Sequence, residues 1–543
     1  MKHRLTAALL AAVLSLSLSV PAMAYSDTAG HWAGPVIEKA SRYGLMVGYP
    51  DGRFGVGDYL NRASFVTILC QMLDWEPVKD ASPSFIDCSS SHWAYGYVEA
   101  ARAHGVTDAG GPFRPDDPIS REEMAVMLVR ALGYQTLAES LSASRVPFSD
   151  VTRNAGYIAL AYQIGMVSGI REGDKLLFKP SLSATRAEAA TMLVQVYERY
   201  AASTDWLHGF YAVSSYSQIN LTRDMDAVSL GWARMEYDDA SGPRLNTTKE
   251  NGNSWAVPQD PTAATGYFQQ NGTPYNLCVF ASGADASDPL ASTVGKITAN
   301  AESRARAIAA LTAAAEDYSG LTMDFEGLKS SLKANYTAFI RELRAALPAD
   351  KSLYVCVQPG PWYTGYDFRA LGESCDKVIL MAHDYRWSSI PASYVGTART
   401  DCPVTPFTRI YDALTEITDP DTGVANRSRI ALALSMDTTG FRIDENGLLL
   451  DDQFYRPSIE TLSRRLAQSD TEVTYSQEYR NPYAVYTDEA GSRYKVWFEN
   501  GQSVADKIQL AKMFGVTGVS IWRLGNIPAW DSYDLWSAVQ ATR

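Results

Sequence analysis

Histidine and cysteine are scarce, six of each in 543 residues, and neither is spaced to hold a metal. There is no HExxH pair and no CxxC pair, so the donor patterns of ordinary zinc sites are missing. No metal or cofactor is expected. GxGxxG and P-loop patterns are also absent, which removes the usual phosphate cradles. Positive charge is short: 48 Lys and Arg face 61 Asp and Glu, giving −13 and a pI near 5.1. Such a balance disfavours nucleic acid as a partner. One apolar run, Leu5–Val20, follows Lys2, His3 and Arg4 and ends at Ala22-Met23-Ala24. It reads as a signal peptide over 1–24. No later run is long and apolar enough for a bilayer, and no cysteine directly follows the first to carry a lipid. Export without membrane insertion is therefore expected. Cys278 and Cys356 lie in apolar runs and read as small buried hydrophobes. The pairing of Cys70, Cys88, Cys375 and Cys402 is left open.

The length suggests two to four domains, and the first two hundred residues contain a repeat. One copy shows Tyr25-Ser26-Asp27, Trp32, Gly44, Gly48, Phe54 and Asn61-Arg62-Ala63. A second shows Phe85-Ile86-Asp87, Trp93, Gly105, Phe113 and Ser120-Arg121-Glu122-Glu123. The third shows Phe148-Ser149-Asp150, Gly165, Phe178 and Thr185-Arg186-Ala187-Glu188. In each copy a Phe precedes the Arg by eight residues. Ser/Thr-Arg-x-Glu is a capping box that starts a helix. Each unit reads as helix, Gly-rich turn, helix. The third departs from the others, with Ala155-Gly156 where they carry Trp, which predicts a weaker groove.

These units resemble S-layer homology repeats. The resemblance implies an α-helical trimer of repeats over 25–78, 79–140 and 141–203. It also implies binding of a secondary cell-wall polysaccharide, with Arg62, Arg121 and Arg186 as carry-over contacts. A guanidinium fork suits an acid group on a glycan. The plainer alternative is that each arginine only pairs with the acid that follows it.

From about Trp206 strand-like runs alternate with helical ones. The runs are 207–214, 227–235, 275–281, 320–326, 352–358, 377–383, 429–435 and 516–522. Eight of them over 204–543 suggest a (β/α)8 TIM barrel, with a doubly wound open sheet as the alternative. A Tyr-rich stretch, 471–498, predicts a small α+β insertion with a turn at Asp488-Glu489-Ala490-Gly491.

The segment Ser319-Gly320-Leu321-Thr322-Met323-Asp324-Phe325-Glu326 carries the most information. Alternation places Thr322, Asp324 and Glu326 on one face and Leu321, Met323 and Phe325 on the other. Two carboxylates at the end of a strand between helices suit acid/base work on a sugar. The plain alternative is a half-exposed strand facing water.

This segment resembles the Asp-Gly-x-Asp-x-Asp-x-Glu strand of glycoside hydrolase family 18. Ser319 and Thr322 replace its first two acids. Met381-Ala382-His383-Asp384-Tyr385 resembles its sixth-strand motif, and Gly518-Val519-Ser520-Ile521-Trp522 its eighth strand. Val496-Trp497-Phe498-Glu499 resembles the spore-cortex-lytic N-acetylglucosaminidase branch. The resemblance implies a retaining, substrate-assisted hydrolase. Glu326 would be the proton donor, and Asp324 would hold the substrate's acetamido group. His383, Asp384, Tyr385 and Trp522 would bind substrate. Trp232 and Tyr211 are weaker candidates, as are Trp362 and Trp387. Peptidoglycan is the favoured substrate and chitin the second. An inactive glycan-binding module and a structural surface-layer protein are the competing readings.

Overall fold

Asp27, Asp87 and Asp150 each pin the turn that carries their own unit's Phe. The Asp27 carboxylate accepts the N–H groups of Phe54 (2.7 Å), Gly55 (2.7 Å) and Val56 (3.0 Å). Asp87 accepts those of Phe113 (2.7 Å) and Arg114 (2.8 Å). Asp150 accepts those of Phe178 (2.8 Å) and Lys179 (2.7 Å). A computed structural model describes residues 25–79, 82–108, 110–142, 145–360, 363–530 and 533–543. The expected signal peptide and Trp362 lie outside these residues. The chain divides into one unit ending at Arg199 and another starting at Tyr200, against an expected boundary at 204.

In the first unit each repeat supplies a pair of helices in sequence, Gly34–Arg42 then Arg62–Met72, Tyr95–Ala103 then Arg121–Ala131, and Ala155–Gln163 then Arg186–Tyr200, and the second helix of one repeat packs on the first of the next. Gly44, Gly105 and Gly165 follow the first helix of each pair at φ of 71°, 73° and 66°, the left-handed position a helix end asks of glycine. The Ser120–Glu123 capping box forms as read.

Among the described residues none of the repeat arginines pairs with the acid that follows it; each reaches into the next unit instead. Arg62 Nε donates to the Phe113 carbonyl at 2.7 Å, Arg121 to that of Phe178 at 2.9 Å, and Arg186 back to that of Phe54 at 2.9 Å. Each guanidinium also stacks on the same Phe ring at 4.9–5.0 Å. Bridges Asn61–Pro118, Ser120–Ser183 and Tyr59–Thr185 repeat this rotation.

The unit is not purely helical. A hairpin, Ile170–Glu172 with Lys175–Leu177, interrupts the third repeat. Counted from the helix start, Arg153 rather than Ala155 stands where Trp32 and Trp93 do. Gly156 lies inside its helix, where a Cβ would come 1.9 Å from the Ala138 carbonyl oxygen. Its smallness serves helix packing.

In the second unit the eight expected strands form and pair in parallel around a closed ring, Gly518 meeting Trp206 at the seam. They are Trp206–Tyr211, Ala227–Asp238, Tyr275–Ser282, Gly320–Glu326, Ser352–Val357, Lys377–Met381, Ile430–Ser435 and Gly518–Trp522. Helices Ala301–Ala314 and Lys333–Ala346 flank the fourth strand. Tyr336, Phe339, Ile340 and Leu343 bury the apolar stripe of the latter. The ring is filled by Trp206, Phe210, Cys278, Tyr354, Cys356 and Met381, among others. All six cysteines are buried and unpaired.

The insertion is larger than the expected 471–498. Its five antiparallel strands begin at Thr439, directly after the seventh barrel strand, and end at Trp497. Its first two strands carry no strand pattern in the sequence, because Gly440 interrupts one and Asp451-Asp452-Gln453 breaks the alternation of the other. Below its last strand sits a buried ion pair. Lys507 Nζ donates to both Glu499 oxygens at 2.6 Å, with side-chain exposures of 0% and 1%. Asn481, Ser503 and Thr405 also donate to Glu499.

Candidate active site

The fourth strand ends in the acid pair, and the parity read from its sequence holds. Thr322 and Asp324 are buried inside the ring, and Glu326 emerges at its carboxyl end, where active residues of such barrels gather. Thr322 does not turn to Asp324. Its hydroxyl lies 2.6 Å from Ser229 Oγ. Ser229 in turn lies 2.7 Å from His208 Nε2, and His208 Nδ1 lies 2.8 Å from Ser520 Oγ. Burial pushes the His208 imidazole down to about 3, so this chain across the ring is uncharged. It satisfies the polar groups beneath the site where the family motif would have an acid.

Asp324 accepts from the buried thiol of Cys356, while its Oδ1 has no partner among the described residues. Burial raises its carboxyl well above the usual range. Glu326 is raised by burial first and by the Asp324 charge second. The pair therefore keeps a proton near neutral pH, held on Glu326, while Asp324 is the first of the two to ionise. Gln358 Nε2 donates to Glu326 Oε2 at 3.0 Å, and its Oε1 accepts the Gly327 N–H at 2.7 Å. This amide sets the rotamer of the acid. At φ 76°, Gly327 lets the chain turn away directly after it.

Glu326 opens into a cavity of about 300 Å³ together with His383, Asp384 and Tyr385. These three follow the sixth strand as expected. Asp384 sits at φ 60°, which aims its carboxylate between His383 Nδ1 (2.8 Å) and Arg386 Nη1 (2.8 Å). Burial opposes its charge, but His383, Arg386 and Arg456 hold it below the usual range. His383 Nε2 is buried without a partner among the described residues. Burial drives the Tyr385 hydroxyl well above its ordinary value. Trp522 points inward and packs 5.3 Å from Phe210 and 6.2 Å from Trp255.

The remaining aromatic candidates lie elsewhere. Tyr211 packs 5.5 Å from Phe268 on the outer helix Thr262–Asn271, so it faces away from the ring. Trp232 is the extra residue of a bulge between Gly231 and Ala233, which turns it outward against Tyr211. Trp387 packs on Tyr394, in the segment between the sixth and seventh strands, and on Phe441 of the insertion. Sequence reasoning missed Trp255, Gln358, Tyr363, Arg386 and Arg409. Trp255 stacks on Phe280 at 5.3 Å, and a Cβ at Gly231 would come within 2.9 Å of its ring. That glycine in a barrel strand was the available signal.

Among the described residues no group of three or more His, Cys, Asp or Glu is placed to hold a metal, and no helix is long and apolar enough to cross a membrane.

The family model for glycosyl hydrolases family 18 matches residues 276–526, and that for the S-layer homology domain matches 24–66 and 84–125. The chain is 26% identical over 214 residues to the putative sporulation-specific glycosylase YdhD of Bacillus subtilis (strain 168), covering 38% of this chain and 47% of that protein. It is 27% identical over 221 residues to the cortical fragment-lytic enzyme of the same organism, covering 37% and 45%. Over 201 residues it is 31% identical to an S-layer protein of Bacillus licheniformis, covering 36% and 22%. The matches thus span less than half the length of each relative. The barrel thus carries a glycosyl hydrolases family 18 domain over residues 276–526, and two S-layer homology domain matches precede it.

Proposed function

We propose that the protein hydrolyses β-linked N-acetylglucosamine glycans, with wall peptidoglycan as substrate ahead of chitin, while its repeats hold it to the bacterial cell wall. The observation that carries this reading is Glu326, fixed by Gln358 at the open end of the ring and raised by burial, beside a buried Asp324. Glu326 gives its proton to the glycosidic oxygen as the C1–O bond breaks. The substrate's acetamido oxygen attacks C1 and forms an oxazolinium ion. Asp324 Oδ1, which lacks a partner, accepts the acetamido N–H and offsets the developing charge. Water then attacks C1, Glu326 takes its proton, and configuration is retained. His383 Nε2, Tyr385 and Trp522 position the sugar. Repeats 25–78, 79–140 and 141–203 act as one cyclic body whose arginines meet an acidic wall polymer.

Glu326→Gln tests the assignment on a chromogenic N-acetylglucosaminide and on purified peptidoglycan. Turnover should fall by about a hundred- to ten-thousand-fold. A variant that kept wild-type turnover would refute it.

A further inference from the structure

Two cavities meet at Arg386. One holds Glu326. The other, of about 180 Å³, is lined by Arg386, Asp437, Thr438, Arg456, Ser458 and Asn526, among others. It lies where the loop after the seventh strand meets the insertion and the segment after the eighth. In a chain of net charge −13, three arginines converge on this pair of cavities, namely Arg386, Arg409 and Arg456.

Their roles differ. Arg386 is engaged by Asp384 at 2.8 Å and Asp437 at 3.5 Å. Arg456 and Arg409 are exposed, and neither guanidinium has an ion pair or hydrogen bond among the described residues. Arg456 lies over the Phe454 ring at 5.1 Å, which orients its plane. Its charge helps hold Asp384 ionised, so it lies within electrostatic reach of the sugar-binding loop. With Glu326 protonated, the two linings set three guanidiniums against two carboxylates, Asp384 and Asp437. The helix Ile459–Leu466 also begins in the wall of the second cavity, with Ser458 as its cap, and its positive end adds to that surplus. A neutral glycan would leave this charge unanswered.

We propose that the second cavity seats a carboxylate carried by the glycan itself, with Arg456 as its partner. The preferred substrate is then an acidic acetamido glycan whose alternate sugars bear a lactyl-ether carboxylate, rather than a neutral N-acetylglucosamine homopolymer. The inference rests on the hydrolase reading above and names the substrate class of that same site. A planar guanidinium pairs a carboxylate through two parallel bonds, a geometry lysine does not reproduce.

The test crosses two enzymes with two substrates. Wild type and Arg456→Gln are assayed on de-peptidated wall glycan strands and on the same strands with their lactyl carboxylates methyl-esterified. Affinity is measured in parallel by calorimetry. Esterification should lower kcat/KM and affinity about tenfold for wild type, and much less for Arg456→Gln, at low salt. Equal losses for the two proteins would overturn the inference, as would a wild type indifferent to esterification. Should neither strand be cleaved, the hydrolase reading fails, and the affinity ratios still decide whether Arg456 reads the carboxylate.

Discussion

Lys507→Met removes the cation from a carboxylate that water does not reach. Glu499 keeps Asn481, Ser503 and Thr405 as donors, but its charge then has no counter-ion within the buried cluster. Breaking such a pair from one side costs about 3–5 kcal/mol, because the charge left behind is desolvated. In a barrel of this size that should lower the melting midpoint on the order of 5–10 °C. Glu499→Gln combined with Lys507→Met should recover at least half of the loss, since a neutral amide oxygen still accepts from Thr405 and Asn481 while its NH2 donates to the Ser503 hydroxyl. Urea denaturation of both variants followed by circular dichroism gives the energies directly. Two results would refute the reasoning: a single variant losing under about 1 kcal/mol, or a double variant no more stable than the single. There is also a functional readout. Thr405 adjoins Val404, whose carbonyl accepts the Tyr385 N–H at 3.1 Å. Loosening the pair should therefore raise KM as well.

Asp324→Asn takes away the charge that helps raise Glu326, so the alkaline limb of the residual pH–rate profile should move to lower pH. An unmoved limb would leave burial as the sole cause. The same acids shape stability. Raised in the folded state, they keep protons that the unfolded chain releases, so stability falls as pH climbs from the ordinary carboxylate range through their raised values. Asp324→Asn should flatten that fall, as read by melting at a series of pH values. Arg186→Ala removes bonds to the Phe54 and Val47 carbonyls and a stack on two rings, and should destabilise the first unit by about 1–3 kcal/mol. Lysine there should recover little, and a neutral result would sink the cross-unit role.

The barrel was legible because its strands are buried on both faces and read as apolar runs, with a period that fixed the direction of Thr322, Asp324 and Glu326. That same double burial defeated the aromatic candidates. An outward Tyr211 and an inward Phe210 look equally apolar in sequence, and the bulge at Trp232 resets the count after Gly231. Asp384 and Tyr385 were found through a motif, but Arg386, Arg409 and Arg456 have no such signature. Arg386 and Arg456 belong to irregular segments, where periodicity says nothing and only chain closure decides proximity. Glu499 belongs to a motif the sequence displays, yet nothing in the motif points to Lys507 beneath it. In the repeats, the Phe-to-Arg spacing was visible, but not that each arginine belongs to the next unit's Phe.

That hand-over from Arg186 to Phe54 makes the first unit the last one's neighbour. A row of modules can gain or lose members at its ends, whereas a loop of three has no end to extend. Deleting residues 25–78 would thus orphan two faces at once, and a fourth copy spliced in would have to prise the circle open. Copy number here is a property of the closure, not of how many copies the gene happens to hold.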